Sequence, residues 1–260
     1  APETAPPVED EPLSSASSFG EDLAERLTWK YPFPASTAET AKTSVTALRR
    51  RRDETDEEAK PLVQYQFQFQ LPQPKTEKRT KLAASEVGQA HHTFLQFVDL
   101  NETDTLMKLQ AQANELVADN LLRREEEEAL DLEALGQFWS SPAGSSIRAR
   151  QFEVHRELPF TARFTVTDLL TCGVGGVNPG LPPDEFVVVQ GVMDLVVIGA
   201  KELWLLDFKT DRLYAEDMPE KLKLYTPQLK LYALALERIY QRPVTKRWLH
   251  WLYLRETVEG

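Results

Sequence analysis

Residues 190–211 read QGVMDLVVIGAKELWLLDFKTD, and this stretch decides the fold. Two apolar runs flank the residues GAKE, which is the pattern of two buried β-strands joined by a short turn. Each run carries one aspartate, Asp194 in the first and Asp207 in the second, and Lys209 follows two positions after Asp207. Because alternate residues of a strand point to the same face, Asp207 and Lys209 share a face, whereas Phe208 points into the core. Asp194 and Asp207 lie at similar distances from the turn, so we expect them to face each other across the hairpin.

Charged groups in such an apolar hairpin need a partner, because burying an unpaired carboxylate is costly. A divalent cation is the most direct compensation: Mg²⁺ prefers oxygen ligands and binds one or two carboxylates together with phosphate oxygens of a substrate. The neighbouring ammonium then has a role in holding or polarising a water for attack on phosphorus. Two other interpretations remain open. One is a buried Asp–Lys ion pair that joins the strands, and the other is a carboxylate pair for glycoside hydrolysis, which leaves the lysine unexplained.

The bulk composition limits the classes of protein. The 260 residues are 42% hydrophobic and 27% charged, as expected of a globular chain with a sizeable core. Cys172 is the only cysteine, which excludes an internal disulfide framework, a cysteine-rich zinc site and a four-cysteine iron–sulfur cluster. No apolar run approaches the ~20 residues that span a bilayer. The net charge of −11 argues against broad coating of DNA, but basic runs at 49–52 and 75–81 leave room for a local DNA groove.

The composition changes along the chain and predicts three parts. Residues 1–26 are rich in Pro, Ser and acidic residues and are predicted to be a disordered or linker segment. They lack a starting methionine and a secretory signal, so we expect a piece of a longer protein. Residues 27–82 form a lead-in segment with basic and acidic runs, a short helix within KTSVTALRR (42–50), and a strand at LVQYQFQFQL (62–71). Residues 83–260 form the main domain.

The main domain begins with helical patterns and continues with strands. Amphipathic helices are predicted at 84–100, 103–122 and 125–141, and a strand lies within 151–166. A Gly/Pro-rich loop precedes the hairpin, and a strongly amphipathic helix that begins at Leu222 and ends before Pro243 leads to a last strand at 244–256. This order favours a single α/β domain with a central mixed β-sheet flanked by helices, preceded by an N-terminal helical segment.

The motifs in and after the hairpin resemble those of the PD-(D/E)XK nuclease superfamily. A strand with Gly191 and Asp194 is followed by DFKT at 207–210, and then by a helix with the pattern Q-x-x-x-Y at Gln228 and Tyr232. The resemblance is closest to the C-terminal nuclease domain of RecB/AddA-type helicase–nucleases. It covers about residues 27–50 and 83–256, and the combined set of motifs is more specific than any member alone.

Upstream residues extend the resemblance. The family has a helical glycine followed four residues later by a histidine, and GQAHH supplies Gly88 and His92. His91 is adjacent and points about 100° away around the helix, so only one of the two histidines can face the site, and the family spacing selects His92. Glu157 stands at the family's acidic position on the first strand of the domain. Phe208 replaces the commoner tyrosine, which leaves its backbone carbonyl unaffected.

The resemblance implies a restriction-endonuclease-like core and a site for Mg²⁺, with Mn²⁺ as a substitute. The metal ligands that it implies are His92, Asp194, Asp207 and the backbone carbonyl of Phe208. The catalytic residues that it implies are Asp194, Asp207, Lys209, Gln228 and Tyr232. Among them, Lys209 orients or polarises the attacking water, and Gln228 and Tyr232 support the site.

The resemblance also implies a metal-dependent deoxyribonuclease of exonuclease type that acts in DNA double-strand break repair and recombination. The DNA substrate that it implies is a single strand fed by an attached helicase. The resemblance further implies a helicase domain in the longer chain and a second helicase–nuclease subunit as partner. It implies no association with a membrane and a bacterial cytoplasmic location. No phosphate-binding G-x-x-x-x-G-K-[ST] loop occurs in these residues. The alternative is a catalytically silent nuclease-like module that binds DNA ends or docks proteins. Such a module is expected to have lost Asp194, Asp207 or Lys209, and all three are present.

Overall fold

The computed structural model describes residues 23, 26–30, 36, 40–50, 82–178, 181–182 and 184–260. The chain divides into two compact units, Ala1–Glu39 and Thr40–Gly260. In the first unit the described residues 23, 26–28 and 36 are helical. The strand predicted at 62–71 and the charged runs between residues 51 and 81 lie outside the described residues.

The second unit contains helices on both faces of one sheet. In chain order its elements are β1 (Lys42–Ser44), α1 (Val45–Arg50), α2 (Ala84–Phe97), α3 (Leu106–Ala118), α4 (Arg124–Glu128), α5 (Leu132–Ser140), α6 (Pro142–Arg148), β2 (Val154–Thr165), α7 (Val166–Cys172), β3 (Phe186–Ile198), β4 (Leu203–Lys209), α8 (Met218–Tyr240), β5 (Val244–Trp251) and β6 (Glu256–Glu259). None of the helices in the described ranges combines the length and the apolar character that crossing a membrane requires.

Two predicted elements are divided in the structure, each for a local reason. The helix predicted at 125–141 is broken because the side chain of Asp131 accepts a hydrogen bond from the backbone N–H of Ala134 and so starts a new helix, α5. The strand predicted at 244–256 ends at Trp251, and the chain returns as β6 through a turn in which Arg255 has a φ of 58°. The short helix predicted within 42–50 begins after β1, where the hydroxyl of Ser44 accepts from the N–H of Ala47 at 3.0 Å.

The sheet is mixed and divides around β3. Its main path runs β1-β3-β4-β5-β6, with β1/β3 and β4/β5 parallel and the other pairs antiparallel. β2 pairs along nearly the whole length of β3, so β1 and β4 must share the opposite edge. β1 occupies that edge at Val188–Gln190 and β4 at Leu195–Ile198. Residues 191–194 therefore lie in a notch between two strands, among the strands that the structure describes.

The two faces of the sheet are covered by two separate cores. One core packs α1, α7 and α8 against the sheet, and its sheet residues include Val196 and Leu205. The other packs α2, α3, α5 and α6 against the opposite face, and it includes Leu195, Leu206 and Phe208. Neighbouring residues of a strand thus enter opposite cores, as strand geometry requires. The predicted mixed sheet flanked by helices is confirmed, as is the burial of Phe208 away from Asp207.

His250 on β5 is a polar group buried in the second core. Its Nδ1 shares a hydrogen bond of 2.9 Å with the hydroxyl of Thr257, and its ring lies 4.5 Å from that of Phe138. Burial lowers the pKa of His250 to about 4, so the folded protein keeps this imidazole neutral.

We expect this histidine to weaken the fold in mild acid. Below pH ~6.5 His250 is protonated in the unfolded chain, whereas in the folded chain it becomes protonated only near pH 4. The unfolding free energy should therefore fall by up to about 3 kcal/mol between these pH values because of this one group. Chemical denaturation of the parent and of His250→Gln across this range measures the effect. Identical pH profiles for the two proteins would contradict it.

Candidate active site

Asp194 and Asp207 lie on the two strands that separate at the notch. Moving away from the turn, the β3–β4 ladder ends at the pair Leu195–Leu206. Asp194 and Asp207 are the next residues on their strands. Beyond this point a side chain replaces the ladder: the backbone N–H of Phe208 donates to Oδ2 of Asp194 at 2.7 Å. The two carboxylates are thus adjacent and largely withdrawn from water, with Asp207 only 2% exposed. The sequence register predicted this proximity.

Asp207 is held from two sides. The Nζ of Lys209 lies 2.7 Å from its Oδ2, and both side chains are buried. The Nε2 of Gln228 donates to its Oδ1 at 3.0 Å and also to the hydroxyl of Tyr232 at 3.2 Å. Gln228 and Tyr232 are four residues apart on α8, so one face of this helix reaches the site. Oδ2 of Asp207 is buried and accepts no hydrogen bond of regular geometry from the residues that the structure describes, although the ammonium is close.

A second cluster adjoins Asp194. The Nδ1 of His92 on α2 lies 3.6 Å from Oδ1 of Asp194 and 3.9 Å from Oε1 of Glu157 on β2. One donor atom from each of the three residues lies within 4.8 Å of the others, a spacing that a single metal ion can bridge. An imidazole and two carboxylates suit divalent cations.

The backbone at Glu157 is locally irregular. Its φ is 48°, a left-handed value that is uncommon for residues other than glycine. The β2–β3 ladder pairs Arg156 with Leu195 and Leu158 with Met193 but skips Glu157, which would otherwise stand opposite Asp194. Such strained positions cluster at functional sites, where the surrounding structure compensates their cost. The irregular backbone leaves the Glu157 carboxylate beside Asp194 and His92.

The two adjacent histidines have different surroundings. His91 is buried, with its Nδ1 2.8 Å from the carbonyl oxygen of Val87 and its Nε2 2.9 Å from the backbone nitrogen of Asp131. Asp131 N–H donates to Nε2, so Nδ1 carries the proton and donates to Val87. Burial lowers the pKa of His91, which agrees with a neutral ring. His91 therefore joins α2 to the start of α5, and His92 is the histidine that faces the carboxylates.

The electrostatics of the site favour binding of a cation. The pKa of Asp194 is raised to about 7, chiefly by burial and in part by the nearby carboxylate of Asp207, against the opposing effect of His92. Burial also raises the pKa of Glu157, for which His92 again opposes and Asp207 adds to the shift. Carboxyl groups that resist ionisation because they are buried together are relieved by a positive ion.

Two glycines allow the elements of the site to approach closely. A Cβ on Gly88 of α2 would lie 2.6 Å from Oγ1 of Thr210, which follows β4. A Cβ on Gly191 would lie 2.6 Å from Cε1 of Phe160 on β2 and 3.1 Å from Cγ2 of Val45. Real Cβ atoms essentially never lie as close as 2.6 Å to such a neighbour, so close packing around the notch explains the motif glycines.

The structure brings the predicted residues together at one place, with Asp194 common to both clusters. Glu157 belongs to the cluster although the resemblance placed it only as an acidic position. Sequence reasoning missed Tyr225, whose ring lies against the Lys209 ammonium, and Asp211, which accepts a hydrogen bond from the Tyr225 hydroxyl. A signal existed for Tyr225, because it precedes Gln228 by three residues and so shares its helix face.

Comparison with known proteins gives a consistent result. The model of the PD-(D/E)XK nuclease superfamily matches residues 62–257. A protein of Moorella thermoacetica, named as one of the subunits of an ATP-dependent helicase/nuclease, is 34% identical over 236 residues, which cover 89% of this chain and 16% of that protein. A protein of the same name from Pelotomaculum thermopropionicum is 33% identical over 247 residues, or 92% of this chain and 19% of that protein. The chain thus spans less than a fifth of the length of these relatives.

The buried charge of Asp194 leads to a prediction about stability. Its pKa is raised on folding, so ionisation of this group costs stability as the pH rises from about 4 through about 7. Asp194→Asn keeps an oxygen acceptor for Phe208 N–H and removes the charge. At pH 8 with excess chelator, we expect this variant to be more stable than the parent by about 2–4 kcal/mol.

Denaturant unfolding at pH 4 and pH 8 measures this difference, which should nearly vanish at the lower pH. Asp119→Asn is the matched control, because Asp119 is exposed at the end of α3 and its replacement should change stability by less than ~0.5 kcal/mol. A destabilised Asp194→Asn at pH 8 would show that the carboxylate is not strained by its surroundings.

Proposed function

The chain belongs to the PD-(D/E)XK nuclease superfamily, and from this premise we propose that it hydrolyses phosphodiester bonds of DNA with Mg²⁺ as the nuclease part of a helicase–nuclease. Membership of this superfamily makes the chain a metal-dependent nuclease domain. The identity of the metal as Mg²⁺, the DNA substrate and the attached helicase motor are proposed. The observation that carries it is the convergence of Asp194, Asp207 and Lys209 in the notch of the sheet, beside His92 and Glu157.

The donor set fits a divalent cation. Asp194 and Asp207 would hold it with the imidazole of His92 and the carbonyl of Phe208, and Glu157 is a further carboxylate within the His92–Asp194 cluster. The buried Oδ2 of Asp207, which accepts no regular hydrogen bond from the described part of the chain, is an atom that such an ion would satisfy. When bound, Mg²⁺ polarises phosphate oxygens and lowers the pKa of a coordinated water. Oxygen-rich sites of this kind suit Mg²⁺ and also Mn²⁺.

Lys209 supplies a positively charged side chain next to Asp207. Its ammonium is fixed 2.7 Å from Asp207, so it can donate hydrogen bonds to an attacking water and to a phosphate oxygen without reorganising. Preorganised donors of this kind are most effective where water is excluded, and Lys209 is only 4% exposed. We assign it the role of orienting the water and stabilising the charge that develops on the phosphate.

Gln228 and Tyr232 support the catalytic carboxylate. The amide of Gln228 donates to Asp207 and to the hydroxyl of Tyr232, which ties the carboxylate to helix α8. The ring of Tyr232 lies 5.5 Å from that of Phe160, edge to face, and Phe160 packs against Gly191. The support therefore extends from α8 back to β2 and β3.

The relatives support the remaining parts of the proposal. Their printed name joins a helicase to a nuclease, and this chain matches less than a fifth of their length, which agrees with a motor elsewhere in a longer protein. We propose that the motor feeds a single DNA strand to the notch, so that this acidic domain need not supply the affinity for DNA. The same proposal includes a role in double-strand break repair and recombination, a bacterial cytoplasmic location, and a second helicase–nuclease protein as partner.

The domain organisation is proposed as well. We propose the division that the sequence predicts, with a disordered or linker segment at 1–26, a lead-in segment at 27–82 and the nuclease domain at 83–260. The lead-in contributes to the fold itself, because β1 at Lys42–Ser44 pairs with β3 next to the notch.

Cleavage of labelled single- and double-stranded DNA tests the function. With Mg²⁺ we expect the parent to cut DNA, excess chelator to stop the reaction, and added Mg²⁺ or Mn²⁺ to restore it. Asp207→Asn preserves size but removes the charge that faces Lys209, so its cleavage rate should fall by at least about 10³-fold. Asp119→Asn is the matched control and should cut as the parent does, because Asp119 is exposed and distant in sequence from the site.

Each outcome decides between mechanisms. Cleavage that persists in excess chelator would refute the metal mechanism. Equal rates for the parent and a folded Asp207→Asn would refute the catalytic assignment. If the parent binds DNA ends but does not cut under any of these conditions, the chain is instead a silent end-binding module.

A further inference from the structure

Lys209 contacts an aromatic ring as well as Asp207. Its Nζ lies 4.2 Å from the ring centroid of Tyr225, which projects from α8. An ammonium over the face of an aromatic ring is attracted by the negative face of the π system, most strongly where water is excluded. Tyr225 is fully buried, and Lys209 is nearly so. The ring and the Asp207 carboxylate therefore both act on the same ammonium.

The orientation of the ring is fixed by a second contact. The hydroxyl of Tyr225 donates to Oδ2 of Asp211 at 2.6 Å, a short distance that is typical of a hydrogen bond to an ionised acceptor. Asp211 follows Lys209 by two residues, just after the end of β4. Asp211, in the segment that directly follows β4, thus holds the Tyr225 ring against Lys209.

Tyr225 completes one polar face of α8. Tyr225, Gln228 and Tyr232 stand at positions i, i+3 and i+7, which lie on the same side of a helix. Gln228 contacts Asp207, and Tyr225 contacts Lys209, so a single helix face holds both charged residues of β4.

We propose that Tyr225, fixed by Asp211, is the positioning residue for the Lys209 ammonium. A lysine side chain has several rotatable bonds, and the ion pair with Asp207 alone would allow its Nζ to move around the carboxylate. The ring face restricts it to the side that α8 covers. The reaction step rests on the proposed nuclease function, whereas the placement of Lys209 does not.

Kinetics under single-turnover conditions test the effect on the reaction. Tyr225→Phe keeps the ring but loses the bond to Asp211, and we expect its cleavage rate constant to fall about tenfold. Tyr225→Leu also loses the ring face and should fall by about a hundredfold. Affinity for DNA should stay within about twofold, because neither change alters a group assigned to DNA binding. Tyr240→Phe, on the last turn of the same helix, is the control that should retain the full rate.

A double-mutant cycle separates positioning from a general effect on folding. In a Lys209→Met background, Tyr225→Phe should cause no further loss of rate, because the group that it positions is gone. A further tenfold loss in that background would overturn the proposal, since it would show that Tyr225 acts independently of Lys209.

Nuclear magnetic resonance of the chain labelled with ¹³C at the lysine ε carbon provides a test that does not need activity. The ring should shift the Lys209 ε protons upfield of those of exposed lysines, and Lys209→Arg identifies the signal by its loss. Tyr225→Leu should move this signal to the position of exposed lysines, whereas Tyr225→Phe should keep much of the shift.

The outcomes distinguish this proposal from the proposed function. A Lys209 signal with no upfield shift, or one unchanged in Tyr225→Leu, overturns the positioning role even if the parent cuts DNA. If the parent does not cut DNA but its Lys209 ε protons show the ring-dependent upfield shift, the proposed nuclease function is refuted and the positioning of Lys209 by Tyr225 is supported. Tyr225→Phe and Tyr225→Leu variants that both cut at the parent's rate overturn the catalytic consequence.

Discussion

The structure depends on one electrostatic constraint: two carboxylates, Asp194 and Asp207, stand side by side where β3 and β4 separate. Burial, together with the neighbouring carboxylate of Asp207, raises the pKa of Asp194 to about 7. The chain offsets part of this cost with its own groups, namely Lys209, the amide of Gln228 and the backbone N–H of Phe208. The remaining demand for positive charge supports the proposal that this site binds a metal ion.

Among the described strands, the fold leaves one segment of β3 without a neighbour on one edge, and the site lies there. β2 pairs with nearly the whole length of one edge of β3, while β1 and β4 pair only with the two ends of the other edge. Helix α2 brings His92 to the notch from one direction, and α8 brings Gln228 to Asp207. The elements can approach because residues 88 and 191 are glycines with no room for a Cβ.

Much of this arrangement could be predicted from the sequence, because its signals are local. The period-two pattern of the hairpin placed Phe208 in the core, and the four-residue spacing placed Gln228 and Tyr232 on one helix face. The local sequence could not show that Glu157 adopts a left-handed backbone, since glutamate has no intrinsic preference for that conformation. Nor could it pair Tyr225 with Lys209, because the distance between a helix and a strand is set by packing across the whole core. The break at Asp131 was predictable in kind, as aspartate favours helix starts, but the helical pattern around it concealed the break.

The most direct test of the paired carboxylates as a cation site is a crystal structure of the chain with Mn²⁺, whose anomalous scattering locates the ion without assumption. We predict a manganese peak in the notch, bound by oxygens of both Asp194 and Asp207, with the Lys209 ammonium close by. A peak that contacts neither aspartate, or a fully ordered notch that stays without metal at millimolar Mn²⁺, would contradict the claim that these carboxylates are held together for a cation.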